Sequence, residues 1–90
     1  MSFTIRTQLH FCYGHRLLNY QGPCQNLHGH NALVEFELQA QSLNELGMVE
    51  DFSVVKKTMN QWIQDHLDHR MILHHSDPYI SYFQQQNEPL

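Results

Sequence analysis

The sequence predicts a small α+β domain. Two stretches of alternating apolar and polar residues predict β-strands, because successive side chains of a strand point to opposite faces. A later stretch, in which apolar residues recur every three or four positions, predicts one amphipathic helix. The 90 residues are enough for a single domain and leave no room for a second.

Composition and charge exclude several classes of protein. The chain is 41% apolar and 16% charged, as in an ordinary globular domain. A formal net charge of −4 argues against nucleic acid or an anionic membrane surface as the main partner. No apolar run approaches the roughly 20 residues that span a bilayer, and no signal-peptide pattern opens the chain, so we expect a cytoplasmic protein. Cys12 and Cys24 are too few for a disulfide framework, and we expect free thiols.

The first predicted strand covers residues 3–13. Apolar side chains such as Ile5, Leu9 and Phe11 occupy the odd positions, and polar side chains occupy most of the even ones. The alternation stops at Gly14, and a loop rich in turn residues follows. This pattern is typical of a strand with one buried face.

The second predicted strand begins near His28 and ends at Ala40. From Ala32 to Ala40 its even positions are apolar and its odd positions are polar, with Leu33 as the exception. Two such strands in succession predict an antiparallel pair joined by a long loop.

The predicted helix follows a turn at residues 42–47. Asp51 is a favourable N-cap, and we expect the helix to end near His66 or Leu67. Beyond it, the chain shows a short apolar cluster at residues 71–73 and a break at Asp77-Pro78. The sequence thus predicts two strands and one or two helices in all. The predicted apolar stripe of the helix consists of Phe52, Val55, Met59, Trp62, Ile63 and His66.

Histidine is unusually frequent, with eight in the chain. His28 and His30 lie two positions apart on the second strand, so both imidazoles point to its apolar face. His15 has the parity of the apolar residues of the first strand, and pairing of the strands brings it to the same point. Three imidazoles with one open position are typical of a catalytic zinc site. The alternative is that His28 and His30 are only polar loop residues.

Cys24 is a candidate base or nucleophile because it lies four residues before His28. A nearby dication favours the thiolate form of a cysteine. The alternatives are a fourth zinc ligand and an inert loop thiol. Cys12 has the wrong parity for the inner face, and we assign it no role.

Asp68 and His69 form an acid–histidine pair at the expected end of the helix. Adjacent side chains on a helix do not face each other. The residues alone therefore favour a surface pair, and a proton relay would require the backbone to leave the helix here.

Four short motifs occur along the chain: FCYGHRL at 11–17, CQNLHGHN at 24–31, GMVEDF at 47–52 and LDH at 67–69. They resemble those of the 6-pyruvoyltetrahydropterin synthase family, in the same order and at similar spacings over about residues 3–73. The gap between Cys24 and His28 is similar to that of the 6-carboxytetrahydropterin synthase branch, which belongs to queuosine and 7-deazapurine biosynthesis. The animal-type synthase has a longer gap, and Cys24 argues against the variety that carries glutamate and acts in folate synthesis.

The resemblance implies the tunnelling fold, in which an antiparallel sheet carries its helices on one face in the order ββααββ. It also implies a homo-oligomer, usually a hexamer, with active sites between subunits. Residues 1–90 would form one pterin-synthase-like domain that is truncated at its C-terminus. The second half of the sheet and a glutamate that anchors the pterin ring would be absent.

The resemblance further implies a role for each site residue. His15, His28 and His30 would hold zinc, and the side-chain hydroxyls of 7,8-dihydroneopterin triphosphate would complete its coordination. Cys24 would be the general base, and Asp68 and His69 would relay protons. The carboxy branch releases triphosphate and acetaldehyde. The alternatives are 6-pyruvoyltetrahydropterin synthase, an inactive zinc-binding relative, and a fragment that binds metal only adventitiously.

Overall fold

The computed structural model describes all residues from 1 to 90, and it has the mixed α+β architecture that the sequence predicts. Three strands form one sheet, two helices accompany it, and a short 3₁₀-helix lies in the loop between the first two strands. The elements are β1 (Phe3–His15), the 3₁₀-helix (Pro23–Gln25), β2 (His28–Ala40), α1 (Phe52–His66), β3 (Arg70–Ile72) and α2 (Tyr79–Gln85).

Strands β1 and β2 form a long antiparallel hairpin. They pair without a bulge from Phe3 opposite Ala40 to His15 opposite His28. Burial alternates along both strands, so the odd positions of β1 and the even positions of β2 share one face. Leu33, the exception in the sequence pattern, lies on the other face with 55% of its surface exposed. The predicted parity of both strands is confirmed.

Helix α1 begins and ends where the sequence predicts. The Asp51 carboxylate accepts a hydrogen bond from the backbone N–H of Ser53 at 2.8 Å, which caps the first turn. Val55 and Ile63 are buried, and the helix packs against β1. The predicted apolar stripe of α1 was too wide, because Phe52, Trp62 and His66 are exposed. The sheet covers only a narrow row of side chains, one at every fourth position of the helix.

Strand β3 was not predicted. It lies parallel to β1, with Tyr13 opposite Arg70 and His15 opposite Ile72, so the sheet order is β2-β1-β3. A strand of three residues is too short to show an alternating pattern. Its position is important for the site, because it brings the segment after α1 beside the end of β1.

A buried ion pair joins the end of β1 to α2. The Arg16 guanidinium donates two hydrogen bonds to Asp77, at 2.7 Å from Nε and 2.6 Å from Nη2. The Asp77 side chain is fully buried, and it also accepts a hydrogen bond from the backbone N–H of Tyr79 at 2.8 Å. The hydrogen bonds from Arg16 are the main reason that the pKa of Asp77 is lowered. The residue that follows His15 is therefore firmly held.

The single chain is elongated. It measures 52 × 28 × 20 Å and has a radius of gyration of 18.0 Å, whereas a compact domain of this length has one of about 12 Å. Val55 and Ile63 are the only apolar residues that are buried. Neither helix has the length and apolar character that crossing a membrane requires. The core lies between α1 and β1, and much of the hairpin is only partly covered.

Candidate functional site

The hairpin brings the three predicted histidines together. His15 and His28 are directly opposite each other, and His30 is opposite Tyr13, two positions along. The imidazole centroid of His15 lies 4.3 Å from that of His28 and 4.8 Å from that of His30, and the centroids of His28 and His30 are 4.7 Å apart. We call His15, His28 and His30 the histidine cluster.

The nitrogen atoms of the histidine cluster are oriented to receive an ion. The Nδ1 atom of His28 lies 2.7 Å from the backbone carbonyl of Asn26, and donation to that oxygen leaves Nε2 as the lone-pair nitrogen. This Nε2 is buried and has no hydrogen-bond partner. The Nε2 atoms of His15 and His30 approach to 2.9 Å, so both face the same point. The unpartnered nitrogen of His28 and the two converging nitrogens of His15 and His30 are suitable ligands for a divalent cation that prefers imidazole.

The surroundings of His15 favour its neutral imidazole. Burial lowers the pKa of His15, and positive charge on His28 and His30 would lower it further. The neutral ring is the form that binds metal ions.

A second group of side chains lies at the junction of β1 and the end of α1. The Asp68 carboxylate accepts a hydrogen bond from the Cys12 backbone N–H at 3.0 Å and lies 2.9 Å from Nδ1 of His69. Nε2 of His69 lies 3.5 Å from Sγ of Cys12. The Cys12 N–H is the largest cause of the lowered pKa of Asp68, followed by the His69 ring. We call Cys12, Asp68 and His69 the thiol cluster.

The backbone after α1 creates the thiol cluster. The N–H groups of Leu67 and Asp68 both donate to the carbonyl of Ile63 at 2.8 Å, which ends the helix. His69 then adopts a left-handed conformation with φ of 56°, and its N–H donates to the Cys12 carbonyl at 2.8 Å. Because the chain has left the helix, the adjacent side chains of Asp68 and His69 face each other. The condition that the sequence analysis set for a proton relay, a backbone that leaves the helix here, is therefore met, and the His69 side chain stays exposed at the surface.

Cys24 joins neither cluster. It lies half-buried in the 3₁₀-helix, where its carbonyl accepts a hydrogen bond from the Leu17 N–H at 2.8 Å. The groups of ligand atoms that converge are those of the histidine cluster and the thiol cluster. The thiol in contact with His69 is Cys12, which the sequence analysis left without a role. Strand parity placed Cys12 on the face away from the histidines. No local sequence pattern indicates its contacts with Asp68 and His69, which lie 56 and 57 positions later in the chain.

One open cleft adjoins both clusters. It has a volume of about 620 Å³, which is in the range of small-molecule sites. Residues from both clusters and from β3 line it, among them Cys12, His28, His30, His69, Arg70 and Met71.

The fold and the histidine cluster define an α+β domain with a candidate metal site. The sequence model of the 6-pyruvoyl tetrahydropterin synthase family matches residues 4–85. The chain belongs to this family, and the resemblance noted in the motifs is confirmed.

Two of the similar proteins carry the same name. The chain is 40% identical over 73 residues to the 6-carboxy-5,6,7,8-tetrahydropterin synthase of Rickettsia bellii, a match that covers 81% of this chain and 53% of the relative. The protein of the same name from Synechocystis is 35% identical over 69 residues, covering 72% of this chain and 54% of the relative. The chain therefore spans about half the length of the curated relatives it matches.

A solved structure confirms the fold. An uncharacterized protein from Wolinella succinogenes superposes with a TM-score of 0.72 at 29% identity, covering 96% of this chain and 54% of that one. The chain has the fold of the N-terminal part of the tunnelling fold, as predicted.

Proposed function

We propose that this chain carries the metal site and acid–base residues of a 6-carboxy-5,6,7,8-tetrahydropterin synthase. The reaction would convert 7,8-dihydroneopterin triphosphate to 6-carboxy-5,6,7,8-tetrahydropterin, with loss of triphosphate and acetaldehyde. The names of the relatives and the spacing of Cys24 and His28 support this branch. The observation that carries the proposal is the buried, unpartnered Nε2 of His28 in a group of three histidines whose ligand nitrogens lie within 4.8 Å of one another.

The metal we propose is zinc, held by His15, His28 and His30. When bound, zinc would supply a Lewis acid that polarises a substrate oxygen. The protein's part is to keep the three ligands in place. The Asn26 carbonyl fixes the tautomer of His28, and the strand register fixes the separation of the rings. The ion pair of Arg16 with Asp77 holds the residue next to His15.

Proton transfer is the task we propose for Cys24, Asp68 and His69. The Asp68 carboxylate holds the proton on Nδ1 of His69, which leaves Nε2 free to accept or donate a proton. The His69 side chain is 78% exposed and lines the cleft beside His28 and His30. We propose Cys24 as the general base that takes a proton from a substrate carbon, because of its position in the motif at residues 24–31.

Assembly with further copies is part of the proposal. The partly covered hairpin and the 18.0 Å radius of gyration support a partner surface that buries apolar side chains. The chain spans about half the length of its relatives. The alternative to an active enzyme is therefore a protein that binds zinc without turnover. The family's description favours 6-pyruvoyltetrahydropterin synthase as the alternative reaction.

Two measurements on one sample test the proposal. We expect about one zinc per chain, as in sites of three histidines, and formation of acetaldehyde with the carboxylated product from 7,8-dihydroneopterin triphosphate. Triphosphate release without acetaldehyde would select the 6-pyruvoyl reaction. Zinc without any turnover would select the inactive relative.

A matched pair of variants identifies the site. His28→Ala should lose zinc, whereas His10→Ala, on the exposed face of β1, should keep it. Cys24→Ala should abolish turnover and retain zinc. Full zinc binding by the His28→Ala protein would contradict the proposed metal site, and full turnover by the Cys24→Ala protein would contradict the proposed base.

A further inference from the structure

Arg70 differs from the other two arginines of the chain because it has no carboxylate partner. Arg6 and Arg16 each form an ion pair with a carboxylate, at 2.9 Å and 2.6 Å. Arg70 is partly buried, and its Nη1 donates to the backbone carbonyl of Leu90 at 3.2 Å. Its Nε is buried and has no hydrogen-bond partner. This guanidinium lacks both a counter-charge and an acceptor, and a bound oxyanion would supply both.

The register of the sheet places Arg70 on the same face as the histidine cluster. Arg70 lies opposite Tyr13 of β1, and Tyr13 lies opposite His30 of β2. Opposed residues of neighbouring strands point to one face, and the rings of Tyr13 and His30 are 5.6 Å apart. Two strand spacings separate the backbones of Arg70 and His30, which is about 10 Å. One small molecule could therefore contact a metal ion at the histidines and the guanidinium together.

The charges around the open cleft single out the same residue. Arg70 is the only arginine or lysine in its lining, and Glu88 is the only carboxylate. Glu88 is exposed and forms no ion pair with Arg70. Three buried side-chain polar atoms in the chain have no partner, and two of them, Nε2 of His28 and Nε of Arg70, belong to residues that line this cleft. The first suits a cation, and the second suits an anion.

We propose that Arg70 is the phosphate-binding residue of the site, and that its ligand is the triphosphate group of the substrate. The identity of that substrate rests on the proposed function. A guanidinium binds phosphate through two parallel N–H donors. The bond to Leu90 uses Nη1, which leaves the edge formed by Nε and Nη2. Turning this edge into the cleft would exchange an unpartnered donor for two charge-assisted hydrogen bonds.

Binding of tripolyphosphate, measured by isothermal titration calorimetry at about 0.1 M salt, tests this inference without turnover. Arg70→Gln should weaken binding about 10- to 100-fold, as expected for the loss of hydrogen bonds to a charged group. Arg70→Lys should lose less, because it keeps the charge but not the two parallel donors. The matched control Arg6→Gln alters an exposed arginine and should leave the affinity unchanged.

Three results would overturn the inference. One is a parent protein that does not bind tripolyphosphate. Another is unchanged affinity in an Arg70→Gln protein whose circular dichroism matches the parent; if the affinity for the carboxylated product falls instead, the oxyanion at Arg70 is a carboxylate. The third is an equal loss in Arg6→Gln, which would indicate attraction to positive charge in general.

Zinc analysis of the same samples separates this inference from the proposed metal site. Arg70→Gln should retain the zinc content of the parent protein, because Arg70 is not among the proposed ligands. A protein that binds tripolyphosphate through Arg70 and holds no zinc would contradict the metal site and support the phosphate site. A protein that holds zinc and binds tripolyphosphate independently of Arg70 would do the reverse.

Discussion

The histidine cluster and the thiol cluster are built in opposite ways. The histidine cluster comes from one hairpin, and its members lie within 16 positions of each other, at strand positions that face one another. The thiol cluster joins β1 to a segment more than 50 residues later, through a helix end and a left-handed residue. The first needs only strand pairing, whereas the second needs the packing of α1 and β3 onto β1.

The two clusters also differ in how their polar atoms are satisfied. The histidine cluster has three like groups and one buried nitrogen without a partner, so it lacks an internal counter-charge. The thiol cluster contains its own acid, base and carboxylate, each in contact with the next. An incomplete set of ligands is suited to an external ion, and a closed series is suited to moving a proton.

The largest effect should follow from removing one histidine ligand. We expect His30→Ala to weaken zinc binding by more than about 100-fold, because changes to the residues that merely support a ligand already cost about 10- to 100-fold. Competition with a chromogenic chelator measures the affinity. The circular dichroism spectrum should not change in this variant. A change in both would show that the substitution disturbs the fold and not only the metal site.

The reverse experiment is to remove the carboxylate of the thiol cluster. Asp68→Asn should lower turnover about 100-fold, the lower range for acid–base groups, because His69 loses the charge that stabilises its protonated form. Zinc content should remain that of the parent protein. A matched Asp65→Asn variant should turn over normally, and loss of zinc from Asp68→Asn alone would show that this residue supports the metal site.

The ion pair that holds the end of β1 should matter for stability. Asp77→Ala leaves the Arg16 guanidinium without its partner, and loss of one member of a buried pair costs about 3 kcal/mol. The pKa of Asp77 is lower in the folded state than its usual value of 3.8. Its contribution is therefore present above about pH 4 and is lost as the pH falls through the lowered folded-state pKa.

Urea unfolding at neutral pH and at about pH 3 measures this dependence. The difference between the parent and Asp77→Ala should shrink in acid. Asp65→Ala, on the exposed side of α1, is the control and should differ little from the parent at either pH. A difference for Asp77→Ala that does not depend on pH would contradict the role of the ionised carboxylate.

The smallest effect should come from the residue between the two clusters. A Cβ on Gly14 would lie 2.6 Å from Sδ of Met71. Because the obstructing atom is near the end of a flexible side chain, we expect Gly14→Ala to cost only about 1 kcal/mol. Adding Met71→Ala should recover part of the loss. A larger cost that Met71→Ala does not reduce would mean that the backbone of β1, and with it both clusters, is disturbed.

Much of the architecture was predictable because it is encoded locally. The parity of β1 and β2 is enough to place His15, His28 and His30 on one face, since a strand's side chains alternate regardless of the rest of the fold. The N-cap at Asp51 and the end of α1 near His66 are also local features. The family motifs, confirmed by the match over residues 4–85, have the same local character.

Only the tertiary structure determined the thiol cluster, β3 and the ion pair of Arg16 with Asp77. Strand β3 has three residues and no periodicity, and the residues of the other two features lie more than 50 positions apart. Their contacts depend on how α1 leaves the sheet and where the chain returns to β1. Alternation along a strand is a property of its own backbone, whereas a contact between distant segments is a property of packing. The sequence by itself therefore determined which histidines face one another, and the packing decided which thiol lies against His69.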